Sequence, residues 1–196
     1  MVPSGKVREV SVRSERFEYT VDAQDVIQAV NEPWRNFAEK NEAFGLGDKV
    51  IGTWLWQHME GLEIKHLYRS LLDRVRKSGQ AVQIPFRCDS PGMARYMVIE
   101  VIPLEEGAVR FASWIENEVP REEIRALEAG QEVDPDRIAK MCTWCKRIDV
   151  GRDDWRELEE GLSQAGLLKL DPVPRIQHGV CPDCRTMVLR EITDSD

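Results

Sequence analysis

No stretch of this 196-residue chain is apolar for anything like the roughly 20 residues a helix needs to cross a bilayer. Its first ten residues are polar and lack the apolar core of an export signal, so a cytoplasmic protein is expected. A glycine-rich phosphate loop, a nucleophile elbow and paired carboxylates in a defined setting are all missing, which leaves no enzyme signature to follow. There is no internal repeat and no low-complexity tract. Histidine is scarce, with three residues, and basic charge is outweighed: 27 Lys and Arg face 35 Asp and Glu, a net of −8. Nucleic-acid modules need a basic surface to displace counterions, so direct binding to nucleic acid is disfavoured.

What the chain does have is an uneven distribution of cysteine. Four of its five cysteines form two Cys-x-x-Cys pairs near the C-terminus: Cys142-Thr-Trp-Cys145, and Cys181-Pro-Asp-Cys184 preceded by His178-Gly-Val. Each pair brings two sulfurs to one point from a tight turn, and two pairs supply the complement of a closed tetrahedral zinc site. Disulfides would suit an exported protein, which the N-terminus does not indicate. Haem attachment needs His directly after Cys-x-x-Cys, whereas Lys146 and Arg185 follow here. A thioredoxin-type pair belongs in a βαβ setting and does not require two pairs. The expected metal ligands are Cys142, Cys145, Cys181 and Cys184, with zinc as cofactor. His178 is expected beside the metal as a supporting group or a turn residue, or as an alternative ligand in place of one sulfur.

The 35 residues between Cys145 and Cys181 are too many for a compact ribbon, so an inserted element is expected. Trp155, Leu158 and Leu162 recur at helical spacing and Gly166 offers a stop. Residues 141–196 carry eight basic and eleven acidic side chains. An acidic zinc unit suits a fold staple or a protein-binding surface. A sheet-and-helix region precedes it. Phe17, Tyr19 and Val21 alternate as a strand, and Val26, Ile27 and Val30 suggest its hairpin partner. Asn31-Glu-Pro-Trp34 reads as a capped helix start, running to Gly45 and Gly47. Ile64, Leu67, Tyr68, Leu71, Leu72 and Val75 mark a long amphipathic helix stopped by Ser78-Gly79. Three strands with short turns follow, over Val82–Cys88, Met97–Pro103 and Val109–Ile115. Residues 119–140 are read as a linker, with a two-turn helix over Arg121–Glu128 and a break at Asp134-Pro-Asp.

Over about Glu15–Glu118 the chain resembles a PAS domain, through Val21-Asp22, Asn31-Glu-Pro-Trp34, Val50-Ile-Gly52 and Ile84-Pro-Phe-Arg-Cys-Asp-Ser-Pro-Gly92. The cysteine segment resembles a small module appended to bacterial PAS-type sensory proteins, through Cys142–Ile148, Trp155–Leu158 and His178–Cys184. The resemblance implies an α+β fold: a five-stranded antiparallel sheet with helices on one face over residues 15–118, a linker over 119–140, and a zinc-stabilised module over 141–191. It also implies a non-enzymatic bacterial signalling protein, with a protein partner or a homodimer. A zinc–thiolate redox sensor is the main alternative, followed by a DNA-binding regulator.

Other candidates have simpler roles. His58 and His66 could be compared with the haem ligands of PAS sensors, but His66 lies about 200° around from Ile64, away from the apolar stripe. The Asn-Cys-Arg-Phe stretch of flavin photosensors is missing. Cys88 falls on the buried side of its strand and reads as a small hydrophobe. Trp54, Trp56 and Tyr68 read as core aromatics. The last two long strands are apolar on both faces, which predicts a contact surface on the side away from the helices.

Overall fold

The computed structural model describes residues 15–193. Five strands form the first sheet: β1 (Phe17–Val21), β2 (Ile27–Val30), β3 (Val82–Arg87), β4 (Met93–Pro103) and β5 (Val109–Pro120). Their order is β2-β1-β5-β4-β3 and every neighbouring pair is antiparallel. Helices α1 (Glu32–Lys40), α2 (Leu46–Val50) and α3 (Leu62–Ser78), with a 3-10 turn at Leu55–His58, lie between β2 and β3 in the chain and cover one face. This is the expected α+β architecture.

The register shows why that face is buried. Val82, Val101, Phe111 and Tyr19 stand opposite one another across four strands, so one row of apolar side chains spans the sheet. Leu67, Leu71, Leu72 and Val75 on α3 pack against that row and are almost fully buried. Local polar groups fix the connections. Asp22 Oδ1 accepts from the backbone N–H groups of Gln24 and Val26, 2.9 Å each, and so shapes the β1–β2 turn. Asn31 caps α1 by accepting from Trp34 N at 2.9 Å, and ties that cap to β1 by accepting from Glu18 N at 3.1 Å. Arg76, in the last turn of α3, donates to the carbonyls of Asp22 and Gly107, 2.9 Å each, and to Asp25 at 2.7 Å.

On the opposite face, Val98 and Ala112 are buried and Trp114 is half-buried. Arg16 lies over the Trp114 ring at 4.5 Å and pairs with Glu100 at 2.8 Å, while Gln83 donates to Glu100 at 2.9 Å. Much of the apolar area read from the sequence therefore sits beneath a polar lattice.

The segment from Pro120 onward departs from its expected form. Arg121–Glu128 is not a helix; it contains a 3-10 turn at Arg125–Leu127. The break expected at Asp134-Pro-Asp is a register shift between Asp134 and Ile138 inside a strand. That strand, β6 (Val133–Cys142), is central to a second sheet with β7 (Ile148–Asp149), β8 (Trp155–Arg156) and β9 (Val173–Gly179), in the order β8-β7-β6-β9. The second unit thus begins inside the stretch read as a linker.

The helix expected between the cysteine pairs is α4 (Leu158–Gln164), shorter than its apolar spacing suggested because Trp155 belongs to β8. Gly166 follows it at φ +70°, the left-handed conformation of a helix stop. Helix α4 lies on β7 so closely that a Cβ added at Gly161 would stand 2.6 Å from Ile148 Cβ. Helix propensity alone favours Gly161→Ala by about 1 kcal/mol, whereas overpacking typically costs about 1–3 kcal/mol. Gly161→Ala is therefore expected to lower the urea midpoint. A raised midpoint would show that β7 yields freely.

Candidate metal centre

The two cysteine pairs meet because β6 and β9 run parallel and end together. The pairing runs from Val133 opposite Val173 to Cys142 opposite Gly179. Beyond Cys142 the chain turns back into β7, placing Thr143-Trp144-Cys145 on the hairpin turn. Beyond Gly179 it enters α5 (Pro182–Thr193), with Cys181 just before the first turn and Cys184 within it. Thr143 N donates to Gly179 O at 2.9 Å and joins the two ends. The turn itself closes through Cys142 N to Arg147 O, 2.8 Å, and Lys146 N to Cys142 O, 3.0 Å, with Lys146 in the left-handed region at φ +63°.

All four sulfurs lie within 4.8 Å of one another. Cys145 Sγ and Cys181 Sγ are 3.6 Å apart, and none of the cysteines forms a disulfide. Zinc–sulfur bonds of about 2.3 Å put the corners of a tetrahedron roughly 3.8 Å apart, so the sulfurs have the spacing a divalent ion requires. Cys142, Cys181 and Cys184 are buried and Cys145 is half-buried. The donor set is closed, all-sulfur and able to hold a metal ion.

Backbone donors favour negative charge on two of the sulfurs. Cys181 N donates to Cys142 Sγ and Cys184 N donates to Cys181 Sγ, 3.4 Å each. The second bond is an N-cap in which sulfur replaces the usual side-chain oxygen, at the positive end of α5. Hydrogen bonds from Cys145 and Cys184 hold the Cys142 thiol far below its ordinary value. The shared hydrogen bond with Cys142 pushes Cys145 up to about 12, and Cys184 is raised by its bonds to Cys142 and Cys145. Only a cation among them lets all four ionise together.

His178 is not one of the converging donors. It stands on β9 opposite Met141 with its surface open to solvent, and partial desolvation of the ring and nearby Lys146 lower its pKa. His66 is exposed on α3, as its phase predicted. His58 borders a 190 Å³ cavity with Tyr19, Trp34, Leu55 and Met59, and its Nε2 lies 2.7 Å from Thr53 Oγ1. That volume is below the about 300–1,000 Å³ of ordinary ligand pockets, so a haem or flavin would not fit without rearrangement. Cys88 lies just past the end of β3, half-buried, with burial raising its pKa. Trp54 is 57% exposed, so it is not a core aromatic, and Trp56 is half-buried with Nε1 donating to Asp25 at 2.9 Å.

An ionic cluster that the sequence did not reveal joins the cysteine unit to the first sheet. Arg87, the last residue of β3, is buried at 7% exposure. Its guanidinium meets Asp89 at 2.5 Å and Glu157 at 3.0 Å, and Arg121 meets Asp89 at 2.9 Å and Glu159 at 3.2 Å. Glu157 also receives Arg147 at 3.0 Å, from the end of the cysteine turn. Alternation in β3 gives no sign of this, because Arg87 is covered by partners from other segments, Asp89 in the following turn and Glu157 before α4. The Asp-Ser-Pro-Gly turn after Arg87 was the available signal, since it places Asp89 within reach.

No protein-family model matches the chain, and no curated protein does. Among solved structures it is similar to a domain of an HTR-like protein from Haloarcula marismortui, at 17% identity and TM-score 0.37, over 52% of this chain and 98% of that one. It is also similar to a sensory box sensor histidine kinase from Vibrio cholerae, at 19% identity and TM-score 0.39, over 53% of this chain and 83% of that one. Among the described residues no helix is long and apolar enough to cross a membrane.

Two substitutions test this construction. Asp89→Ala leaves two buried guanidinium groups without their shared carboxylate, and is expected to cost about 3–5 kcal/mol, read from the urea midpoint. A change below about 1 kcal/mol would mean that water already compensates these charges. His178→Ala is expected to keep the metal stoichiometry of the unaltered chain, measured by elemental analysis. Complete loss of metal would make His178 a ligand.

Proposed function

We propose that this chain is a non-enzymatic bacterial-type signalling protein, in which a PAS-like sensory and interaction domain is joined to a structural zinc centre. The convergence of four sulfurs within 4.8 Å carries this reading, because a closed thiolate set leaves no coordination position for substrate. The PAS-like assignment is supported by the resemblance over residues 15–118 and by the small apolar cavity between the sheet and its helices. A cytoplasmic setting suits ligands that must remain reduced. The partner is proposed to be a protein, either a second copy or another signalling component, since the net charge of −8 disfavours nucleic acid.

One observation favours the second reading, a zinc–thiolate redox sensor. Cys145 is half-buried and borders a 390 Å³ groove also lined by Phe86, Tyr96, Trp144 and Met187, so an oxidant has a route to one ligand.

Elemental analysis and an absorption spectrum of the purified chain test both. One zinc per chain without haem or flavin bands is expected, together with loss of the metal in the double variant Cys142→Ser, Cys181→Ser. Full occupancy in that variant would remove the assigned ligands. Zinc that resists peroxide supports a structural role, whereas peroxide-driven release with a change of oligomer supports the sensor.

A further inference from the structure

Helix α3 is held from two sides. Toward the sheet, Ile64, Leu67, Leu71 and Leu72 lie in the same apolar cluster as Phe111 and Val101. Toward the cysteine unit, Tyr68 stacks on Trp144, with ring centroids 5.4 Å apart and planes inclined by 19°. Trp144 is 3% exposed and sits between the ligands Cys142 and Cys145, so its position follows the geometry of the turn that holds them. Its carbonyl also accepts from Arg87 N at 2.6 Å on the edge strand β3. The other ligand pair reaches the same helix: Arg185, next to Cys184 on α5, forms an ion pair with Glu63. At Gly61, just before α3, a Cβ would stand 3.9 Å from His178 O on β9.

The cavity lies at the other end of these contacts. Met59 and His58, which border it, directly precede the Glu60-Gly61 entry to α3. Tyr19, also on its wall, is stacked on Phe111 at 4.6 Å. Its hydroxyl is raised well above the ordinary value by burial and by the nearby Tyr68. Both cysteine pairs therefore bear on one helix; its own residues do not line the cavity, but the segment that leads into it supplies His58 and Met59 to the cavity wall.

We propose that the metal centre clamps α3, so that metal occupancy regulates the packing of the cavity wall. The inference rests on the metal reading above. A clamp of this kind makes the two sites linked: anything that binds the cavity with α3 seated binds better when metal is present, and the reverse holds by the same factor.

Hydrogen exchange read by mass spectrometry, on the full chain under reducing conditions with and without zinc, tests the proposal. Metal content is measured on the same sample. Removal of zinc is expected to accelerate exchange over residues 55–78 by about 5- to 150-fold, the usual range of coupling between sites, while the central strands over 97–101 and 109–113 stay protected. In Trp144→Leu, which keeps all four cysteines, zinc is expected to remain bound and its effect on residues 55–78 to shrink. If that variant does not fold, Arg185→Gln carries the same readout. Zinc bound at one per chain with its removal felt only over 133–193 would overturn the clamp and leave the metal reading intact. Uniform acceleration of the whole chain, or an undiminished effect in the variant, would also overturn it. Absence of zinc from the purified chain would overturn both.

Discussion

The parallel pairing of β6 with β9 is the constraint on which the C-terminal half depends. Sequence places Cys142 and Cys181 far apart, and only a register that sets Cys142 opposite Gly179 brings them together. Parallel strands require a crossover between them, and here it contains β7, β8 and α4, whose apolar residues Ile148, Leu158 and Leu162 are fully buried against Ala139 and Met141. The inserted residues thus form the core that fixes the register, and the register places the sulfurs. Four thiols brought this close cannot share negative charge without a cation. The energy of binding a metal there is folding energy for this arrangement.

A second consequence is that the cysteine unit does not stand apart from the sheet. Cys142, Trp144, Cys181, Cys184 and Val188 belong to the same buried cluster as Val21, Leu71 and Phe111. The Arg87–Asp89–Arg121 cluster, with Glu157 and Glu159, fastens the opposite side of the junction. Buried ions of this kind add specificity of placement more readily than net stability, since desolvation offsets much of their attraction. Apolar burial holds the two units together, and the ionic cluster sets their relative position.

Most of the first sheet was legible because its signals are local. Asn31-Glu-Pro is a helix start whatever surrounds it, and α3 shows its stripe over about three turns, from Ile64 to Val75. The four ligands were legible for the same reason, since Cys-x-x-Cys encodes a turn and its chemistry at once. What escaped was non-local. Strand β6 has a burial pattern that is mostly exposed until Ala139, so no alternation marks it, and Pro135 argued against a strand. Strand β9 carries Pro174 for the same effect. The role of Trp144 depended on α3 lying beside it, and the burial of Arg87 depended on Asp89 and Glu157 closing over its guanidinium. Such features arise from packing between segments distant in sequence, which periodicity within one segment does not contain.

The central claim is that four sulfurs from two distant turns hold one metal ion on the flank of the five-stranded sheet. X-ray absorption at the zinc edge of the purified full chain tests this most directly. The account predicts a single shell of four sulfur scatterers at about 2.3 Å, unchanged in His178→Ala. A mixed shell with nitrogen or oxygen at about 2.0 Å, or no zinc edge from a folded chain, would contradict it.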